Sequence, residues 1–220
     1  MVFNSLSAIV EDIMLELRNS NIAESERISR LQIEQWVHNY RALLIKQDLD
    51  KGRDINPAYV QTYGPLHISK VECTPGHYEY VSEQKIPSVL DLHYSTGLSV
   101  VKDMYDNLIQ IGNETKAKLQ TSRKYTCNDY IAYLKDGRLH LLGPGYLEYV
   151  QIEGIFEDPT KLGSCFDAEN SVYPVPANLI PTIKDLIFSK ELNIMLQVPT
   201  DMTNNNKDEN LESNAAIRAR

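Results

Sequence analysis

The apolar positions of the chain follow a helical period at its start and a strand-like period after Leu66. Leu6, Ile9, Val10, Ile13, Met14 and Leu17 recur at i, i+3, i+4, i+7, i+8 and i+11, which is one continuous stripe of an amphipathic helix. Ser5 is its candidate N-cap and Asn19-Ser20-Asn21 its end. A second helix is predicted from Ser29, which has capping-box spacing to Gln32. Its stripe is Ile33, Trp36, Val37, Tyr40 and Leu44, widened by Leu43 and Ile45. A stripe that wide predicts contact on two sides, either with the first helix and a sheet or with a neighbouring subunit. Gly52 closes the element, and Asn56, Pro57 and Gly64 outline a short third helix as cap, first residue and stop.

From Leu66 the chain alternates. LHISKVECT and HYEYVS flank Pro75-Gly76, and a further stretch runs from Ile86-Pro87 to Thr96-Gly97. LSVVKDM and NLIQIG flank a Tyr105-Asp106 turn and predict a hairpin, and residues 114–121 have the propensity of a short surface helix. Asp136-Gly137 between YIAYLK and RLHLL is a hairpin dipeptide. With a strand from Tyr146 to Phe156, which places Leu147, Tyr149, Gln151 and Glu153 on one face and Tyr146, Glu148, Val150, Ile152, Gly154 and Phe156 on the other, these segments predict a three-stranded antiparallel meander.

A last helix is expected from about Leu179 to Leu196, capped by Asn178, with Pro181 in its first turn. The expected fold class is therefore α+β: a helical bundle built from the N-terminal helices and a C-terminal helix, with an inserted antiparallel β module. The bundle would take residues 1–65 and 178–198, the β module 66–177. Residues 199–220 are Asn-rich and nearly devoid of apolar side chains, an arm that is extended or disordered unless a partner orders it. No repeat of 20–50 residues is visible.

Composition narrows the possible chemistry. The 220 residues carry 22 Lys+Arg against 30 Asp+Glu, a net charge of −8, so the chain has no general basic surface for holding nucleic acid. No apolar run reaches the ~18 residues of a membrane span, and MVFNSLSAIVEDIMLEL has acids where a signal core would be apolar. The expectation is a soluble chain that is not secreted. Cys73, Cys127 and Cys165 have no zinc or redox spacing. The 13 tyrosines suit strands and protein interfaces. Phosphate-loop, dinucleotide, nucleophile-elbow and metalloprotease motifs are absent. His67, His77 and His93 could converge from strands, yet none has ligand spacing in sequence, and no cofactor or metal is expected. Lys116, Lys118, Arg123 and Lys124, with Tyr125 beside them, form one basic cluster that could touch nucleic-acid phosphates.

Several short segments in order resemble the head-to-tail connector (adaptor, or ring) proteins of tailed bacteriophages. They are Trp36-Val37, Arg41-Ala42-Leu43-Leu44-Ile45, Ile86-Pro87, Gly154-Ile155-Phe156-Glu157-Asp158-Pro159, Tyr173-Pro174-Val175-Pro176, Pro199-Thr200-Asp201 and Asn204-Asn205. The later ones look most like ring proteins of crAss-like short-tailed phages. The resemblance implies a virion structural protein without catalytic residues, at the portal–tail vertex after assembly in the host cytoplasm. It implies a ring of about twelve copies built by one heterologous interface. Its partners would be itself, the portal protein and further ring or tail proteins, with genomic DNA passing through the bore unbound and no membrane involved. The expected interface residues are Trp36, Tyr40 and Leu44 on the second helix and Leu211, Ile217, Arg218 and Arg220 on the arm. Two other classes remain open from the residues: a small glycan-hydrolase-type enzyme with a site assembled from separate strands, and a DNA-binding module using Lys116 to Tyr125.

Overall fold

The computed structural model describes residues 4–20, 28–74, 77–92, 96–120, 123–125 and 129–192. The first helix, α1 (Leu6–Ser20), starts where Ser5 Oγ accepts from Ala8 N at 3.3 Å. The second, α2 (Arg30–Asp50), starts where Ser29 Oγ accepts from Gln32 N at 3.2 Å. Gly52, at φ +76°, turns the chain out of α2, a conformation glycine adopts without penalty. The predicted third helix shrinks to a single 3₁₀ turn, Pro57–Tyr59, with Asn56 Oδ1 accepting from Ala58 N. The extended period begins directly after it.

The strands are β1 (Gln61–Thr74), β2 (His77–Ser82), β3 (Leu98–Asp103), β4 (Leu108–Ile111), β5 (Ile131–Lys135), β6 (Arg138–Leu142) and β7 (Tyr149–Gly154). They close into a barrel in the order β1-β2-β6-β5-β4-β3-β7. Closure depends on β1, whose 14 residues pair first with β7 and then with β2. The switch follows a register shift between Tyr63 and Leu66, where Gly64 sits at φ +131°. The β3–β4 and β5–β6 hairpins form as the turn dipeptides predict, with Asp106, Asp136 and Gly137 at positive φ.

This architecture overturns the expected helical bundle with an inserted antiparallel β module. Among the described residues the molecule is organised around a closed seven-stranded barrel with four α-helices, and β4 and β5 run parallel. The three-stranded meander is also corrected. After β6 the chain leaves its hairpin partner, and β7 pairs between β1 and β3. The parallel pair needs a crossover, and α3 (Glu114–Gln120) lies in it. Ala117 of α3 is fully buried in a cluster with Ile131, Tyr133 and Leu142, on the outer wall of the barrel. Among the described residues between Ile86 and Gly97 there is no strand, only the bridges Val89–Phe156 and Asp91–Thr96.

Inside the barrel, Leu66, Ile68, Val101, Ile109, Ala132, Leu139, Leu141, Val150 and Ile152 fill the space. Alternation along each strand sends these side chains inward, and the lumen is a packed core rather than a conduit. A second core joins α1, α2 and the C-terminal segment through Ile9, Val10, Ile13, Ile33, Trp36, Val37, Ile183 and Ile187. Over its described residues that segment is not the single long helix expected, and residues 193–196 of that helix lie outside the described residues. It runs as a 3₁₀ turn (Ala177–Leu179), α4 (Ile180–Leu186) and a π-helical turn (Ile187–Leu192). Its N-cap is Pro176, with no side-chain cap bond, rather than Asn178. Most of the wide stripe of α2 is covered within one protomer, while Leu43 stays exposed. Its first half packs on α1 and α4, and Ile45 meets Tyr59, Leu90 and Ile155 at one end of the barrel.

Candidate functional site

Where α2 crosses onto the barrel, a set of polar side chains is buried. Val37, Arg41 and Ile45 follow at i, i+4 and i+8, so a guanidinium stands in the middle of an apolar ladder. Arg41 is fully buried. Its Nε donates to Pro174 O at 2.8 Å and its Nη1 to Phe156 O at 2.7 Å, while Nη2 has no partner among the described residues. Burial pulls the Arg41 pKa downward, against the nearby Tyr173 and Asp158. The cation therefore ties the strand-end carbonyl of Phe156 to the segment that leads into α4.

One helical turn earlier, His38 Nδ1 shares a 2.9 Å hydrogen bond with Tyr173 Oη, and His38 Nε2 lies 3.5 Å from Asp158 Oδ1. Burial lowers the His38 pKa and outweighs the opposing pull of Asp158. Burial raises that of Tyr173. Asp158 is also partly buried, but hydrogen bonds from the Thr160 hydroxyl and main chain, with electrostatic attraction to His38, hold it below the usual carboxylate range. A His, a Tyr and an Asp in contact could serve proton transfer if a substrate reached them. The nearest cleft, about 420 Å³, is lined by Pro57, Val60, Gln61, Phe166, Val172 and Tyr173 among others, and no acid, histidine or lysine lines it. This cluster fits a latch between two cores better than a reaction centre.

No raised-pKa carboxylate pair of the glycosidase kind is found among the described residues. The carboxylates that depart from their ordinary values, Asp103, Glu114, Asp158 and Asp167, all depart downward. Among the described residues no group of three His, Cys, Asp or Glu could hold a metal ion. His67 Nδ1 lies 2.9 Å from Glu83 Oε1, and its ring meets Tyr149 edge-on. The side chain of His77 and all of His93 lie outside the described residues. In the basic cluster, Lys118 and Lys135 converge on Glu114 at 2.6 and 2.9 Å, so part of its charge is already matched. Lys116, Arg123, Lys124 and Tyr125 are exposed.

Of the predicted interface residues, Trp36 and Tyr40 lie in the protomer's own core, and Leu44 is half-buried against it. Tyr40 Oη donates to Glu191 Oε1 at 2.7 Å, and burial together with that bond pushes its pKa up to about 12. Leu211, Ile217, Arg218 and Arg220 lie outside the described residues.

Sequence reasoning missed a cluster of exposed apolar side chains at the tip of the β3–β4 hairpin. Met104, Tyr105 and Leu108 are 60%, 85% and 78% exposed. The turn that presents them is held from within. Asp103 accepts from Tyr105 N at 2.8 Å, Asn107 N at 2.9 Å and Asn107 Nδ2 at 2.8 Å. Lys102 adds ion pairs to Glu153 at 2.9 Å and Asp106 at 3.3 Å. The Asp-x-x-x-Asn spacing of Asp103 and Asn107 was the available signal, because an acid at a strand end caps the turn that follows.

A family model described as phage tail ring protein 2 matches residues 8–210, a span that runs through both cores. No curated protein matches the chain at a significant level. The chain belongs to this crAss-like phage ring-protein family, and is a ring-forming structural component of the phage tail.

Proposed function

We propose that this tail ring protein closes a ring between the portal and the tail, with the genome passing through its bore. The family match over residues 8–210 carries the reading, since it takes in the helical layer and the barrel together. Three physical features support it. The barrel is filled by aliphatic side chains, so a passage for DNA would lie between copies and not through one. Large apolar side chains, Tyr105 and Leu108 among them, stand exposed in the isolated protomer, as expected of surfaces covered in an assembly. With a net charge of −8 per copy, about twelve copies would carry on the order of −100 charges, which repels phosphates and favours sliding over sticking.

In this reading the chain acts by assembly and not by catalysis. Its partners are its own copies, the portal protein and adjacent ring or tail proteins, met first in the host cytoplasm and then at the portal–tail vertex. Trp36 and Tyr40 contribute by holding α2 in place, and Leu44 and the arm residues Leu211, Ile217, Arg218 and Arg220 contact neighbours. Deleting residues 199–220 then leaves the fold intact and weakens assembly, whereas unfolding on deletion would make the arm part of the core. The direct test is the mass of the purified protein, alone and mixed with portal. A multi-copy closed species that joins portal is expected; a strict monomer that never associates with portal would overturn the reading.

A further inference from the structure

A ring built from one chain uses a heterologous contact, in which two different patches of each copy meet. The β1–β7–β3 part of the barrel carries two such patches at its opposite ends. At one end, Gln61 pairs with Gly154 and Gly154 with Leu98. At the other, Leu66 pairs with Val150 and Val150 with Asp103. The five residue steps from Leu98 to Asp103 separate the ends by about 17 Å at the rise of a strand.

The Asp103 end bears the hairpin tip, a convex apolar knob of Met104, Tyr105 and Leu108. Its turn is fixed in advance by the Asp103 hydrogen bonds, so little ordering is required when a partner covers it. The Gln61 end bears a concave apolar surface, the cleft of about 420 Å³ walled by Pro57, Val60, Phe166 and Pro174. Val172, 62% exposed, forms part of its lining. The volume is in the range that takes a small organic ligand, enough for a phenol ring and a flanking aliphatic side chain. Gln61 adds a second observation. It lines the cleft, and its Oε1, a buried atom, has no hydrogen-bond partner among the described residues. A turn of that amide would offer the acceptor to a phenolic hydroxyl, and tyrosine is the residue that brings a large apolar body with a donor at its tip.

We infer that the Met104–Tyr105–Leu108 knob of one copy seats in the Val172-lined cleft of the next, forming the core of the contact that closes the ring. The occupant is a second copy of this chain, because knob and cleft are matched in chemistry and stand at opposite ends of one sheet, as head-to-tail closure requires. A tyrosine buries on the order of 200 Å², so the knob is the centre of a standard interface and not its whole area.

The inference rests on the ring reading, and a mixing experiment separates the two. The knob variant carries Tyr105→Ser and Leu108→Ser, and the cleft variant carries Ala58→Glu and Val172→Glu. All four positions are exposed, so thermal melting should match the wild type. Native mass spectrometry of the full chain reads assembly. Wild type is expected to close rings, and each variant alone to stay monomeric about a hundredfold above the concentration at which wild type assembles. Mixed, the two variants retain one intact knob and one intact cleft between them, and should give 1:1 dimers and nothing larger. Rings from either variant alone, or only monomers from the mixture, overturn the pairing and leave the ring reading standing. A wild type that is monomeric at every concentration removes both.

Discussion

Replacing Arg41 by methionine tests whether the two cores are joined by a charge. The side chain donates to Pro174 O at 2.8 Å and Phe156 O at 2.7 Å from a fully buried position. Methionine fills most of the volume and supplies neither donor. Each carbonyl then loses a charge-assisted bond and stays buried, at about 1–3 kcal/mol apiece. Removing a buried guanidinium also relieves a desolvation cost, and in some proteins that gain exceeds the loss. Here the acceptors are neutral main-chain carbonyls that cannot move away without disturbing β7 and the approach to α4, so the loss dominates. The expected net cost is about 3 kcal/mol. Arg41→Lys keeps the charge but cannot span both carbonyls, and should cost about half as much. Urea unfolding followed by far-UV circular dichroism and by Trp36 fluorescence measures it. Trp36 reports the helical core and the dichroism reports both cores, so Arg41→Met should lower the midpoint and separate the two probes. A stability within 0.5 kcal/mol of wild type, with coincident probes, would refute the latch.

Three further outcomes follow from the same geometry. His38 is held neutral by burial, so its folded pKa lies below the ordinary 6.5; stability is complete above that value and falls as pH drops through the folded pKa. Urea midpoints from pH 8 to 5 should show this loss, and His38→Gln should flatten it; an unchanged acid limb would contradict the assignment. Asp103→Ala removes three hydrogen bonds from the hairpin turn, should cost about 1–2 kcal/mol, and should speed amide exchange at Tyr105 and Asn107, with no change at those amides counting against a prearranged tip. Gly97→Ala would set a Cβ 2.5 Å from Leu90 O and 3.1 Å from Ile155 O, main-chain atoms that cannot yield, and should lower stability by about 2 kcal/mol in thermal melting, whereas a neutral result would mean the bridge beside β3 is looser than drawn.

The local elements were legible because their causes are local. The α1 stripe, the Ser29 cap and the Asp136-Gly137 turn each need only a few neighbouring residues, and each stands as read. Closure was not legible. Whether β7 pairs with β6 or inserts between β1 and β3 depends on contacts far apart in sequence, and the alternation of β7 is the same in either case. The parallel β4–β5 pair hid for a related reason, since the short α3 between them shows little apolar periodicity and buries Ala117 as its one fully covered apolar residue. Arg41 was detectable, as a charge on the ladder of Val37 and Ile45, but its partners are main-chain carbonyls that leave no mark in sequence. The exposed hairpin tip looked like an ordinary turn, because hydrophobic patterning does not reveal which apolar residues the protomer leaves uncovered.

The most direct measurement is a reconstruction of the portal–tail vertex in intact particles, with this chain traced in the density. The account predicts about twelve identical copies in a closed ring around the DNA path, with the filled barrels in its wall. A single copy, an open arrangement, or a position away from the DNA path would contradict it.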